Sequence, residues 1–187
     1  MFLIGEEQEL VAAMAERDFT RVLCVGNGIS LEPRALAYAG LRVDALDVSR
    51  VGTEIAMTFP AEETQLEAYF ALPSAAPGGS VAFLVGDFRD PGICPGPYDV
   101  IVERRTLQLL PADEQPSALE SLVARLAPNG IFISQHHGGG WRPGKPRTHW
   151  AKGWFEENAF VVWEDLPGVA NRPGREGRVA WLSFTSG

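Results

Sequence analysis

One stretch constrains the fold more than any other: Arg21-Val-Leu-Cys-Val-Gly-Asn-Gly-Ile-Ser30, followed by an apolar run that closes on Asp47. Val22, Leu23, Cys24 and Val25 suit a buried parallel strand, and Gly26-Asn27-Gly28 is where the backbone turns sharply. Ser30 as an N-cap, Pro33 in the first turn, and Leu31, Ala35, Leu36 and Ala39 at helical spacing predict a helix that Gly40 ends. Leu41 to Val48 then reads as a second strand whose tip carries an acid.

Strand, glycine loop, helix, strand and acid form a device with a physical rationale. Glycines let the backbone approach a ligand with no Cβ in the way, and a carboxylate at the second strand's tip can accept both hydroxyl protons of a ribose. The spacing suggests an adenosine-containing ligand. A dinucleotide fingerprint needs a third glycine, where this chain has Leu31, and no Gly-Lys-Ser/Thr follows to make a phosphate loop. Two plainer readings stand beside this one. The glycines could serve a tight turn in any doubly wound sheet, and Asp47 could cap a helix that begins at Arg50.

Composition limits the function classes. With 187 residues, 45% hydrophobic and 21% charged, the chain has the makings of a single globular domain over 1–187. Its net charge of -8 argues against a broad basic surface for nucleic acid. No apolar run reaches membrane-spanning length, and the first residues lack the basic start and long apolar segment of a signal peptide, so the expectation is a cytoplasmic protein without membrane contact, monomeric or homodimeric. Two cysteines, Cys24 and Cys94, make neither a disulfide framework nor a zinc set, and His136, His137 and His149 lack a third-ligand pattern; no metal is expected.

The rest of the chain continues the alternation. Glu6 to Glu16 predicts an opening helix, Ser49 to Leu72 two short helices broken at Pro60, and Ser80 to Val85 a third strand running into Gly86-Asp87-Phe88. Tyr98 to Glu103 predicts a fourth strand, Pro111 to Ala127 a helix, and Ile131 to Gln135 a fifth strand after the Pro128-Asn129-Gly130 break. Leu107, Leu109 and Leu110 are expected in the core. Alternation of this kind calls for a parallel sheet covered by helices on both faces. At the end, a helix around Trp150 to Asn158 precedes Ala159–Glu164 and Arg178–Phe184. With no helix pattern between these two strands, an antiparallel hairpin is expected.

Taken together, the Gly26-Asn27-Gly28 loop, Asp47, Gly86-Asp87-Phe88 and the Tyr98-Asp-Val-Ile-Val-Glu103 strand resemble the class I S-adenosylmethionine-dependent methyltransferases, over nearly the whole chain. The resemblance implies an α/β, Rossmann-like, doubly wound sheet of seven mostly parallel strands with an antiparallel strand in a C-terminal hairpin. Within that superfamily, Glu103-Arg104-Arg105-Thr106-Leu107 resembles the thiopurine and tellurite-resistance type, while the Gly-Asn-Gly-Ile-Ser loop also resembles the elongation-factor lysine methyltransferases. S-adenosylmethionine is the cofactor this implies. Cys24, Gly26, Asn27 and Gly28 would lie along its methionine end, Asp47 would hold the ribose hydroxyls, Val48 would touch adenine, Asp87 would accept from the adenine amino group and the Phe88 backbone would face the ring. Glu103 and Arg104 would lie near the sulfonium and the substrate entrance.

Three positions depart from the family pattern: Cys24 replaces an acid two residues before the first glycine, Ser30 a glycine, and Arg105 a glycine after the fourth strand. The loop His136-His137-Gly-Gly-Gly-Trp141-Arg142, with Lys145 and Arg147 beyond it, leaves the carboxyl end of the fifth strand, the side where open α/β sheets bind ligands. Trp141 and Arg142 are candidates for a lid over an acceptor, and His136 and His137 are candidate general bases; a plain surface loop is the alternative. A small-molecule acceptor is preferred, because Glu103-Arg104-Arg105 stands where an Asn-Pro-Pro-Tyr-like clamp for a nucleic-acid base or a glutamine would be. A protein-lysine acceptor met by Glu103, or a binding module that has lost activity, are the rival readings.

Overall fold

A computed structural model describes residues 18–58, 77–137, 150–164 and 178–185. They belong to two compact units, Met1–Cys94 and Pro95–Gly187. The expected opening helix lies outside the described residues, as does the second of the two short helices expected before Leu72.

In the first unit, β1 (Arg21–Val25), β2 (Arg42–Asp47) and β3 (Ser80–Val85) form a parallel sheet in the order β3-β2-β1. Val22, Leu23, Cys24 and Val25 are all buried, which is why a near-continuous apolar run and not an alternating one encodes this strand. Helix α1 (Glu32–Tyr38) carries Pro33 in its first turn and buries Ala35, Leu36 and Tyr38. Its end is a Schellman motif: the Gly40 amide donates to the Ala37 carbonyl and the Leu41 amide to the Leu36 carbonyl, with Gly40 at a φ of 94°. Only glycine adopts that conformation without strain, so Gly40 terminates the helix as expected.

Helix α2 (Arg50–Thr58) follows β2 almost at once. Its first turn is capped by Ser49, whose Oγ accepts from the Gly52 amide at 3.0 Å. At its other end Arg34 donates to the carbonyls of Ala56 and Met57 at 2.9 and 2.8 Å, placing a cation where the helix dipole is negative. The same guanidinium lies 5.3 Å from the centre of the Phe83 ring.

In the second unit, β4 (Tyr98–Arg104), β5 (Leu126–His137), β6 (Val161–Glu164) and β7 (Val179–Thr185) are joined in the order β4-β5-β7-β6. A 3-10 turn (Leu107–Leu109) and α3 (Gln115–Val123) connect β4 to β5, and α4 (Lys152–Glu157) precedes β6. Leu119 and Leu122 of α3 and Phe132 of β5 are fully buried, and Phe155 packs 5.3 Å from Phe132 and 5.0 Å from Phe160, centre to centre. Those rings form this unit's core.

Three expectations are corrected here. The last two strands are not an antiparallel hairpin: β6 and β7 pair in parallel, Val161 opposite Val179 through Glu164 opposite Leu182, and β7 also pairs in parallel with β5. A parallel pair needs a crossover of about a dozen residues or more, and the fourteen residues 165–178 between these strands supply that length. β5 starts at Leu126 and not at Ile131, because the register slips between Tyr98 opposite Leu126 and Val100 opposite Ile131, so the Pro-Asn-Gly break is absorbed as an irregularity inside the pairing. Leu107 is buried as expected, but Leu109 is 79% exposed: the 3-10 turn points successive residues in different directions and only one of them can face the core.

Candidate functional site

The first unit assembles its candidate site at the carboxyl ends of β1 and β2. After Val25, Gly26 and Gly28 take φ values of 63° and 50°, and the Gly26 amide donates to the Leu46 carbonyl at 2.8 Å. Asp47 is the keystone. Its Oδ2 accepts from the Gly28 amide and its Oδ1 from the Ser49 amide, each at 2.7 Å, so one carboxylate at the tip of β2 ties the glycine loop to the start of α2. Because Ser49 caps α2, the plainer reading of Asp47 as that helix's cap is not the arrangement found. A carboxylate offers about four lone-pair directions and two are used, which leaves one on each oxygen for hydroxyl donors.

Space and polarity agree with a ligand there. A Cβ built on Gly28 meets nothing within 4 Å, so this glycine is required by its backbone angle and leaves open volume beside it. Asn27 donates through Nδ2 to the Gly28 carbonyl at 3.0 Å, while its buried Oδ1 has no hydrogen-bond partner. Cys24 is buried within β1 and behaves as core. Ser30 is not the N-cap that was expected: the cap is Leu31, one residue on, and the Ser30 hydroxyl accepts from the Glu32 amide at 3.2 Å.

Val48, next to Asp47, is 74% exposed, as an apolar residue offered to a flat ring would be. Phe88 is buried. Asp87 turns out to be engaged at home: Arg89 donates to it through Nε at 3.0 Å to each oxygen and through a terminal nitrogen at 2.6 Å, and the Arg89 amide donates to Oδ1 at 2.9 Å. Hydrogen bonds from Arg89 hold its carboxyl below the usual range, against a smaller opposing effect of burial. Any donor from a ligand competes with that guanidinium. Arg89, two residues along in the same turn, was legible as a partner from its spacing alone.

In the second unit, Glu103 is the last residue but one of β4 and is buried. Its Oε2 accepts from the amides of Thr106 and Leu107 at 3.1 and 3.3 Å, and its Oε1 from the hydroxyl of Ser134, its cross-strand partner on β5, at 2.9 Å. Burial pushes the carboxyl up from 4.5 to about 7, opposed by the Ser134 hydroxyl, the two amides and the Arg104 charge. Both oxygens therefore face the turn and the sheet. The sequence reading singled out Glu103 but missed Ser134, which no local motif marks. Arg104 is half-buried, and Arg105 is exposed with a φ of 62°, its amide donating to the Gln135 carbonyl at 2.8 Å. The left-handed angle explains why glycine would suit position 105.

His136 and His137 end β5, paired with Phe184 and Thr185 of β7. Trp141 and Arg142, the candidate lid, lie outside the described residues. Among the described residues no group of three or more His, Cys, Asp or Glu is placed to hold a metal ion, and no helix is long and apolar enough to cross a membrane.

A strand, glycine turn, helix and acid-tipped strand continued by parallel pairing define the Rossmann-like class of α/β proteins. Within it, the fold is that of the S-adenosylmethionine-dependent methyltransferases. The chain is similar to an amino pentose methyltransferase from Micromonospora echinaspora involved in calicheamicin biosynthesis, solved with S-adenosylmethionine bound (TM-score 0.52, 21% identity, 76% of this chain and 53% of that one). It is also similar to a protein from Pyrococcus horikoshii OT3 (TM-score 0.51, 19% identity, 69% and 54%). The chain thus spans about half the length of these two structures. No protein-family profile and no curated protein matches the sequence.

Proposed function

We propose that the chain binds S-adenosylmethionine at the Gly26–Gly28 loop and transfers its methyl group to a small-molecule nucleophile. The observation that carries this reading is Asp47, whose carboxylate is already positioned by the amides of Gly28 and Ser49 and keeps acceptor capacity for a ribose. Open volume over Gly28, the orphaned Asn27 Oδ1 and exposed Val48 fit the methionine and adenine ends. The cofactor supplies an electrophilic methyl on sulfur; the protein's part is to hold donor and acceptor at attack distance and to exclude water. A sulfur, selenium or tellurium nucleophile needs no strong base, so such acceptors head the screen. The lysine reading asked Glu103 to meet a cation, and a carboxylate with both oxygens bonded inward is poorly disposed to do so.

Calorimetric titration with S-adenosylmethionine and with S-adenosylhomocysteine tests the proposal. Saturable binding at a single site is expected, weakened at least about tenfold in Asp47→Ala, a loss of about 1.4 kcal/mol or more. Absence of heat and of any thermal shift at millimolar ligand, in protein that is folded, would sink it.

A further inference from the structure

The Glu103 turn invites a question that methyl transfer does not answer: why a carboxylic acid is buried there with three neutral donors and no cation bonded to it. Its hydrogen-bond partners are the amides of Thr106 and Leu107 and the Ser134 hydroxyl. The one charged group acting on it, among the described residues, is its neighbour Arg104; β5 presents Ser134 and the 3-10 turn presents backbone amides. A buried carboxylate in neutral company is costly to ionise, whereas a neutral carboxyl satisfies the same geometry: Oε2 still accepts from both amides, and a proton on Oε1 donates to the Ser134 oxygen. The turn it holds is also under tension. Arg105 is kept at a φ of 62° by its amide's bond to the Gln135 carbonyl, a conformation that costs a non-glycine residue free energy and relaxes if the turn lets go.

We propose that Glu103 is a proton-operated latch: protonated, it pins the Arg104–Leu109 turn to β5, and ionised, it releases the turn so that the carboxylate reaches water. The latch sets the pose of Arg104 and Arg105 at the carboxyl end of β4, making Glu103 a positioning residue. It is a property of the fold and holds whether or not the chain transfers a methyl group. The direction follows from the buried carboxyl being pushed up to about 7 against 4.5 when solvated, so that opening binds fewer protons and is favoured as pH rises.

Amide hydrogen exchange by NMR on the full chain, corrected for intrinsic exchange, reads this directly. From about pH 5 to about pH 8, protection at Thr106 and Leu107 is expected to fall about a hundredfold, the ratio that proton linkage gives for a group moving between these two pKa values. Low urea should leave exchange at these two amides unchanged, since local opening exposes little surface, while Ile101 and Ile133 in the strands should respond to it. Glu103→Gln, whose carbonyl oxygen can accept from both amides while its NH2 donates to Ser134 as the carboxyl proton would, cannot ionise and should hold protection level across the range. Ser134→Ala, which removes the group that joins the carboxyl to β5, should lower protection at Thr106 and Leu107 at about pH 5. The latch is overturned by pH-independent protection in the natural chain, by a pH dependence that survives Glu103→Gln, by undiminished protection at about pH 5 in Ser134→Ala, or by urea sensitivity at Thr106 and Leu107 equal to that of Ile101 and Ile133.

Discussion

Arg105 shows how one residue can carry a cost. Its left-handed backbone is set by the bond from its amide to Gln135, and the side chain is exposed, so nothing about packing calls for an arginine. Substituting Arg105→Gly removes the steric penalty and adds chain entropy to the unfolded state, two effects of opposite sign and similar size, so stability is expected to change by less than about 0.5 kcal/mol. Arg105→Val places a β-branched side chain at the same angle and should cost about 1–2 kcal/mol. Urea denaturation of the two variants measures the difference. A valine variant as stable as the glycine one would mean the turn is not held at that angle in solution. Asp87 illustrates the converse: the resemblance implied a ligand acceptor there, yet the turn supplies Arg89 as its own partner.

At the scale of elements, the cap of α2 is the simplest to test. Ser49 Oγ accepts from the Gly52 amide, and Ser49→Ala is expected to lower stability by about 1 kcal/mol, with Ser49→Asp restoring most of it. Asp47 was read as the acid at a strand tip, and it is that, but the capping role falls to Ser49 and leaves Asp47 for the loop. The pairing of β6 with β7 is the element that local pattern could not decide. The apolar runs Val161-Val-Trp163 and Val179-Ala-Trp-Leu182 suit a strand in either direction, and only the neighbour each strand meets distinguishes a hairpin from a crossover. Here β7 lies between β5 and β6, so the strand that comes last in the chain is not the last in the sheet.

For the whole molecule, Glu103 makes stability depend on pH in an unusual direction. Its carboxyl is raised by burial from 4.5 to about 7, so the folded chain keeps a proton that the unfolded chain has lost throughout that window. Stability from this group is therefore complete below about 4.5 and declines as pH rises to about 7, by up to about 3 kcal/mol. Asp87, held low by Arg89, works in the ordinary direction and is lost only as pH falls below the window. Denaturation free energies at about pH 5 and about pH 8 should differ in the natural chain and converge in Glu103→Gln; equal values in the natural chain would count against the buried acid.

What the chain's own sequence determined was the β/α alternation, the glycine turn and the acid at Asp47, because each depends on residues a few positions apart: apolar runs, helix stops and backbone angles that glycine alone tolerates. The order of β7 and β6, the Ser134 hydroxyl opposite Glu103 and the exposure of Leu109 were decided by tertiary structure. Their physical reason is common to all of them, since burial and cross-strand register are properties of neighbours in space, and the sequence names those neighbours only after the chain has folded.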